Sequence, residues 1–373
     1  MSESAKPVLF DLTLSDEQAL MRETARRFAA TEMRPSSRRA DEAGQAPEGF
    51  YARSADLGFT VVPIPEELGG MGAARSPVSN VLIAEDLAYG DMSLAIGALS
   101  SLSFINTIID QGSAEQQRAL LPPFTEQAAR AAPIALMEPG LRFDPLKPKT
   151  KARKHGAGYV LSGEKTMVPL GGSAELMLVI ADEEGVGPAA FVLEHEENGV
   201  RIEREAFMGL RPLELCKVVL QDVKLSASAR LGSGAQPFDL RRFVDLSRIG
   251  IAALSLGVAQ AVLDYVKQYC NDRIAFGEPI THRQAVAFMI ADIAIELDGM
   301  RLLVYRAAGR AERGLDFHRE AYLAHVQCAE KGMKIGTDGV QLLGGHGFIR
   351  EHMVELWYRN LRALGILEGC VTV

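Results

Sequence analysis

The chain has 373 residues, 47% of them hydrophobic and 24% charged, with a formal net charge of −8 and a pI of about 5.5. That length allows two or three domains with separate cores, and the composition is ordinary for a globular enzyme. The acidic balance argues against nucleic acid as the main partner, because phosphate binding needs an excess of lysine and arginine; a small anion needs only one or two local cations.

The opening MSESAKPVLFDLTLSDEQ has no basic region followed by an apolar core and a small-residue cleavage site, so no secretory leader is expected. Residues 1–132 read as an N-terminal helical domain. Ser15-Asp16-Glu17-Gln18 predicts a capped helix start, followed by Leu20, Met21, Ala25, Phe28 and Ala29 at helical spacing. Leu57-Gly58-Phe59 and PIPEELGGMG are turn-rich; helical runs resume over 81–88 and 94–111, and Ser113 opens a short further helix. Residues 133–235 change period. YVLSGEK, LMLVIAD, AAFVLEH, GVRIERE and CKVVLQDVKL are short apolar or β-branched runs bounded by Gly, Asp and Glu, which favours an antiparallel barrel or sandwich. Residues 236–373 are helical again, with long stretches over 238–270, 283–313 and 317–343 that predict an antiparallel bundle. Short linkers suggest that the three zones pack as one body.

No uninterrupted apolar segment is read as approaching the roughly 20 residues of a bilayer crossing, so no membrane span is expected. Cys216, Cys270, Cys328 and Cys370 are scattered, without Cys-x-x-Cys or metal-ligand spacing. They read as free buried thiols of a reducing compartment, with disulfides the alternative, and the expected location is cytoplasmic.

Four stretches carry chemistry, each beside a plainer reading. In DRIAFGEPI, Gly277 can cap a helix before Pro279, or Arg273 can reach a phosphate. In DGVQLLGGHGFIREH, Gly344, Gly345 and Gly347 allow a close backbone approach to a ligand, or merely a tight turn. They follow no strand, which excludes the dinucleotide fingerprint. Asp245 and Arg248, three apart, share one helix face; a surface ion pair is the simpler account. Glu368 is a solvated glutamate near the C-terminus, or a desolvated carboxylate suited to removing a weakly acidic C–H proton.

The order and spacing of these stretches, together with PEELGG, ALMEPG and GEKT, resemble those of the acyl-CoA dehydrogenase family over nearly the whole chain. The resemblance implies an α+β multi-domain fold: an N-terminal helical domain, a central antiparallel β-barrel and a C-terminal four-helix bundle. It also implies FAD between the domains, an acyl-CoA substrate, electron-transfer flavoprotein as acceptor, and usually a dimer of dimers. Glu368, followed by Gly369 on the substrate side, matches the base that removes the pro-R α-proton while the β-hydrogen leaves as hydride to flavin N5. Some relatives carry that base on the first bundle helix, where this chain has Ser247. Asp245 and Arg248 match contacts to the CoA thioester. Arg273, Phe276, Gln284, Gln341, Gly344 and Gly345 match contacts to FAD, with Arg273 reaching across a subunit boundary.

The departures gather around the flavin ring. The family's Thr-Glu-Pro-x-Ala-Gly-Ser-Asp is Met137-Glu138-Pro139-Gly140-Leu141-Arg142-Phe143-Asp144 here. Met167 replaces the aromatic that packs on the flavin, and Pro169 replaces a hydroxyl residue and brings no N–H. Cys370 stands where threonine follows the base. The implied activity is oxidation of an acyl-CoA to the 2-enoyl-CoA. The alternatives are a partner subunit of a heteromeric acyl-CoA dehydrogenase completed by a sister chain, and a related flavoenzyme of different chemistry.

Overall fold

The computed structural model describes residues 13–126, 130–195, 197–232 and 237–373; the expected 235/236 boundary and most of the stretch read for a leader lie outside them. The chain starts with α1 (Asp16–Phe28). The Ser15 hydroxyl accepts from the Gln18 N–H, and the Gln18 side chain accepts from the Ser15 N–H, both at 3.1 Å. A π turn leads into α2 (Arg34–Ala43), followed by α3 (Phe50–Ala55), α4 (Pro77–Gly90), α5 (Met92–Gln111), α6 (Ala114–Leu120) and α7 (Pro123–Glu126). Ser113 and Gln116 repeat the reciprocal cap on α6. Between α4 and α5, Asp91 is extended and its carboxylate accepts from the Leu94 N–H at 3.0 Å, which starts the second helix at once.

The central region has seven strands: β1 (Ile134–Ala135), β2 (Lys151–His155), β3 (Gly158–Pro169), β4 (Leu176–Glu183), β5 (Gly187–Glu194), β6 (Val200–Arg204) and β7 (Leu215–Leu225). The expected antiparallel barrel is corrected here, because the sheet is mixed and open. β1 and β2 both pair parallel to β4, one after the other along it, while β5 pairs with β4 antiparallel. The order runs β1-β4-β2-β3-β7-β6, and among the described residues no pairing joins β5 to β6. The antiparallel pairs β3–β7, β6–β7 and β4–β5 are those whose strands the sequence pattern marks. Bulges in β3 at Leu161/Gly163 and Lys165/Val168 interrupt its register with β7 where it approaches the helices.

The last region holds α8 (Leu240–Asp272), a hairpin of β8 (Ile274–Ala275) and β9 (Glu278–Pro279), α9 (Gln284–Glu312), α10 (His318–Leu342) and α11 (Val354–Leu361). Helix α4 lies against α8 so closely that a Cβ at Gly257 would sit 2.1 Å from the Glu85 carbonyl oxygen. The two helical regions therefore share one apolar core, which also takes in Met137, Met167 and Leu170 from the sheet region. A second core lies between α5, the start of α8 and one sheet face, and a third lies within the curl of the sheet.

The reading that no segment approaches a membrane span also needs correction. α5 and α8 are long and apolar enough by composition, but both are mostly buried inside this fold, as core helices are.

Candidate active site

The segment from 366 to 373 explains how an acidic residue enters an apolar place. After α11 and a short 3-10 turn (Arg362–Gly365), the chain runs between α5 and α8, with Leu367, Cys370, Val371, Thr372 and Val373 buried. Thr372 N–H donates to Ser103 Oγ of α5 at 2.9 Å, and Gly369 N–H donates to Ser247 Oγ of α8 at 2.8 Å. Gly369 has φ +75°, and a Cβ there would meet Leu136 Cδ2 at 2.6 Å, so only glycine lets the segment turn here. Ser247 thus clamps the segment beside Glu368.

Glu368 is 12% exposed. Its Oε1 accepts from Arg248 Nε at 3.1 Å and Nη2 at 2.9 Å, and His325 Nε2 lies 4.0 Å from the same oxygen. Oε2 is buried and has no hydrogen-bond partner among the described residues. Burial raises the Glu368 carboxyl above its ordinary range; Arg248 opposes that shift and Asp245 adds to it. The simpler account of Asp245 and Arg248, an ion pair between them, does not hold among the described residues. Asp245 instead meets His318 Nδ1 at 2.9 Å, and Arg248 spans to Glu368, its guanidinium 5.9 Å from the Tyr322 ring centroid. Sequence reasoning missed His318 and His325. Their spacing with Tyr322 (i, i+4, i+7) on α10 was the available signal.

The structure brings Met137 to Glu368, whose N–H points at Met137 Sδ, 3.4 Å away. Met167 is buried in the left-handed region (φ 52°), and its N–H is taken by Glu205 Oε2 at 2.9 Å. Pro169 is buried and ends β3 opposite Leu215. The Met137 loop is fixed from behind by an enclosed ion pair. Lys165 Nζ donates to Glu138 Oε1 at 2.8 Å and to Leu136 O at 3.1 Å, with side chains 0% and 4% exposed for the pair. Glu138 also accepts from the Lys149 and Thr150 N–H groups at 2.7 and 2.8 Å. Burial pushes the Lys165 ammonium down to about 8, with Glu138 opposing.

The remaining predicted residues gather elsewhere, around a cavity of about 490 Å³ lined by Arg273, Phe276, Gln341, Gly344 and Gly345, with Arg283 and Tyr269. Gln284, the first residue of α9, stands next to Arg283 but does not line it. The expected helix cap at Gly277 is corrected: α8 ends at Asp272 with Arg273 extended, and Phe276 (φ 57°) and Gly277 (φ 88°) form a two-residue hairpin turn. Such a turn needs positive φ at both central residues. Phe276 is 94% exposed, and the Arg283 guanidinium lies 5.3 Å from its ring centroid. A Cβ at Gly344 or Gly345 would have no atom within 4 Å, so both glycines leave open space beside Arg273 and Gln341. Such a surface offers a cation, an amide and bare backbone, the donors that an extended anion requires.

Three sequence profiles match along the chain: the acyl-CoA dehydrogenase N-terminal domain over residues 15–128, the middle domain over 133–223 and the C-terminal domain over 240–373. The chain is 30% identical over 363 residues to the mitochondrial short-chain specific acyl-CoA dehydrogenase of Rattus norvegicus, covering 95% of this chain and 87% of that one. It is 33% identical over 364 residues to the caffeyl-CoA reductase–Etf complex subunit CarC of Acetobacterium woodii, covering 95% of both. Among solved structures, butyryl-CoA dehydrogenase from Megasphaera elsdenii superposes with a TM-score of 0.89 at 30% identity, covering 96% of each chain.

Proposed function

The chain belongs to the acyl-CoA dehydrogenase family, and from that premise we propose that it oxidises an acyl-CoA thioester to the 2-enoyl-CoA, with Glu368 as the base for the α-proton. The observation that carries this reading is the state of the carboxylate. One oxygen is held by Arg248, and the other is buried without a partner. A desolvated carboxylate with a free oxygen is matched to a weakly acidic C–H proton. Its backbone is fixed by the Ser247 clamp on Gly369, so the free oxygen has a defined position. Its own N–H rests on a thioether sulfur, a weak acceptor that a thioester carbonyl can replace. A carbonyl bound there would acidify its α-carbon beside the base.

FAD fits the nucleotide-side bed, where Arg273, Gln341, Gly344 and Gly345 would hold it and Phe276 would flank it. When bound, FAD supplies the acceptor for the β-hydride. Electron-transfer flavoprotein is the proposed onward acceptor, because one similar protein is named as a subunit of an Etf complex. The exposed Phe276 and Phe348 (94% and 90%) and the exposed Phe288 and Ile295 of α9 support assembly into a homo-oligomer, proposed as a dimer of dimers. The purified protein should carry a flavin spectrum that bleaches with an acyl-CoA. A chain-length series should begin at butyryl-CoA, since similar proteins are named for short and butyryl chains. Glu368→Gln should abolish bleaching while sparing ligand binding; unchanged turnover would refute the assignment.

A second reading is favoured by the ring-side residues. Met137 and Met167 offer no side-chain hydrogen bond to a flavin ring, the Met167 N–H is committed to Glu205, and Pro169 has none. In that case the chain is the partner subunit of a heteromer. Colourless protein that FAD cannot reconstitute, co-purifying with a sister chain, would favour it over the first.

A further inference from the structure

The proposed reaction leaves a proton on a carboxyl group 12% exposed, and the structure carries a group suited to removing it. Polar groups pair with α10 at three levels: Asp245 of α8 with His318, Arg248 of α8 with Tyr322, and Glu368 of the terminal segment with His325. At the innermost level His325 Nε2 lies 4.0 Å from Glu368 Oε1, and its side chain is 14% exposed. One imidazole thus faces the base and also touches solvent. On the reading of Glu368 as the α-proton base, we propose that His325 is the relay through which Glu368 exchanges that proton with water.

The step balances without any other reactant. Glu368 takes H⁺ from the α-carbon on Oε2 and becomes neutral, which weakens its tie to Arg248 and lets the carboxyl turn until Oε2–H faces Nε2. The O–H proton passes to the Nε2 lone pair, the imidazolium releases its Nδ1 proton to water, and the carboxylate pairs again with Arg248; the ring regains its starting tautomer when water returns a proton to Nδ1 and takes the one on Nε2. The Arg248 charge on α8 keeps the imidazolium brief, and Glu368 faces Nε2 from the terminal segment. Burial and the Arg248 charge push His325 down to about 4, so at neutral pH it is an empty acceptor. A relay must pass a proton on, and such a group does not retain one.

The test uses flavin-loaded protein and acetyl-CoA, which has α-hydrogens but no β-carbon to oxidise. Its α-H/D exchange in D₂O, followed by NMR, requires abstraction at Glu368, exchange of that proton with solvent, and return. His325→Gln is expected to slow exchange by about tenfold or more with unchanged melting. His325→Ala should recover with added imidazole. Exchange at the wild-type rate in both variants overturns the relay, and so does slowing that imidazole cannot restore, since His325 would then act only in packing. Glu368→Gln separates the two ideas: if it exchanges like wild type, or wild type does not exchange, the base assignment falls and the relay with it.

Discussion

Replacing Arg248 by methionine keeps much of the side-chain bulk and removes the two N–H donors on Glu368 Oε1. At 2.9 Å and an effective dielectric of ~20, the charge pair is worth about 6 kcal/mol before desolvation. Removing one partner of an enclosed pair typically costs ~3–5 kcal/mol. Glu368 need not bear that cost as a charge, because it can take a proton instead. Arg248 is the group that opposes the upward push of burial and Asp245 on this carboxyl, so its loss moves the carboxyl further up. A base must be deprotonated to act. The variant's kcat/KM at neutral pH should therefore fall by roughly 10- to 100-fold and recover as pH rises, each tenfold corresponding to about 1.4 kcal/mol. Arg248→Lys, which keeps the charge, should lie between. The assay is kcat/KM against pH for the three proteins with one acyl-CoA. If the methionine variant keeps the wild-type acid limb and changes only KM, Arg248 does not control the base, and the argument fails.

Two further outcomes are expected. Lys165→Met should lower unfolding stability by ~3–5 kcal/mol in urea titrations, because it leaves the enclosed Glu138 carboxylate without its cation. The double variant with Glu138→Gln should regain part of that, and purely additive losses would contradict a coupled pair. Gly369→Ala should cost at least about 2 kcal/mol and most of the activity while flavin content holds, since a Cβ at φ +75° meets Leu136 at 2.6 Å; a stable, active variant would show that the turn is not constrained.

The parts of the fold legible in the sequence were those governed by neighbours along the chain. Serine caps three residues before Gln18 and Gln116, and the long helical periodicities of α8, α9 and α10, depend on local spacing and formed as read. What was misread depends on distant partners. β2 reads KARKH, polar and largely exposed, so no apolar pattern marks it, and its parallel pairing with β4 is invisible locally. Asp245 and Arg248 share a helix face, yet their partners come from positions 73 and 120 residues away. The local sign of His325 was only its helical spacing with His318 and Tyr322, and its neighbour Glu368 comes from the terminal segment folding against it. Serines and an asparagine break up the apolar run of α5, which hid how apolar the helix is as a whole.

The wedge that carries Glu368 is tied to α5 across 269 positions and to α8 across 122, and Arg75 reaches the Val373 carbonyl across 298. Contacts of such separation carry the largest chain-closure cost and form late in folding. Both helical regions must already be side by side before the segment has a slot to enter. On the proposed role of Glu368, competence to take a proton is therefore acquired last, as a report that the rest of the molecule has assembled, and a partly folded chain would hold that carboxylate in water.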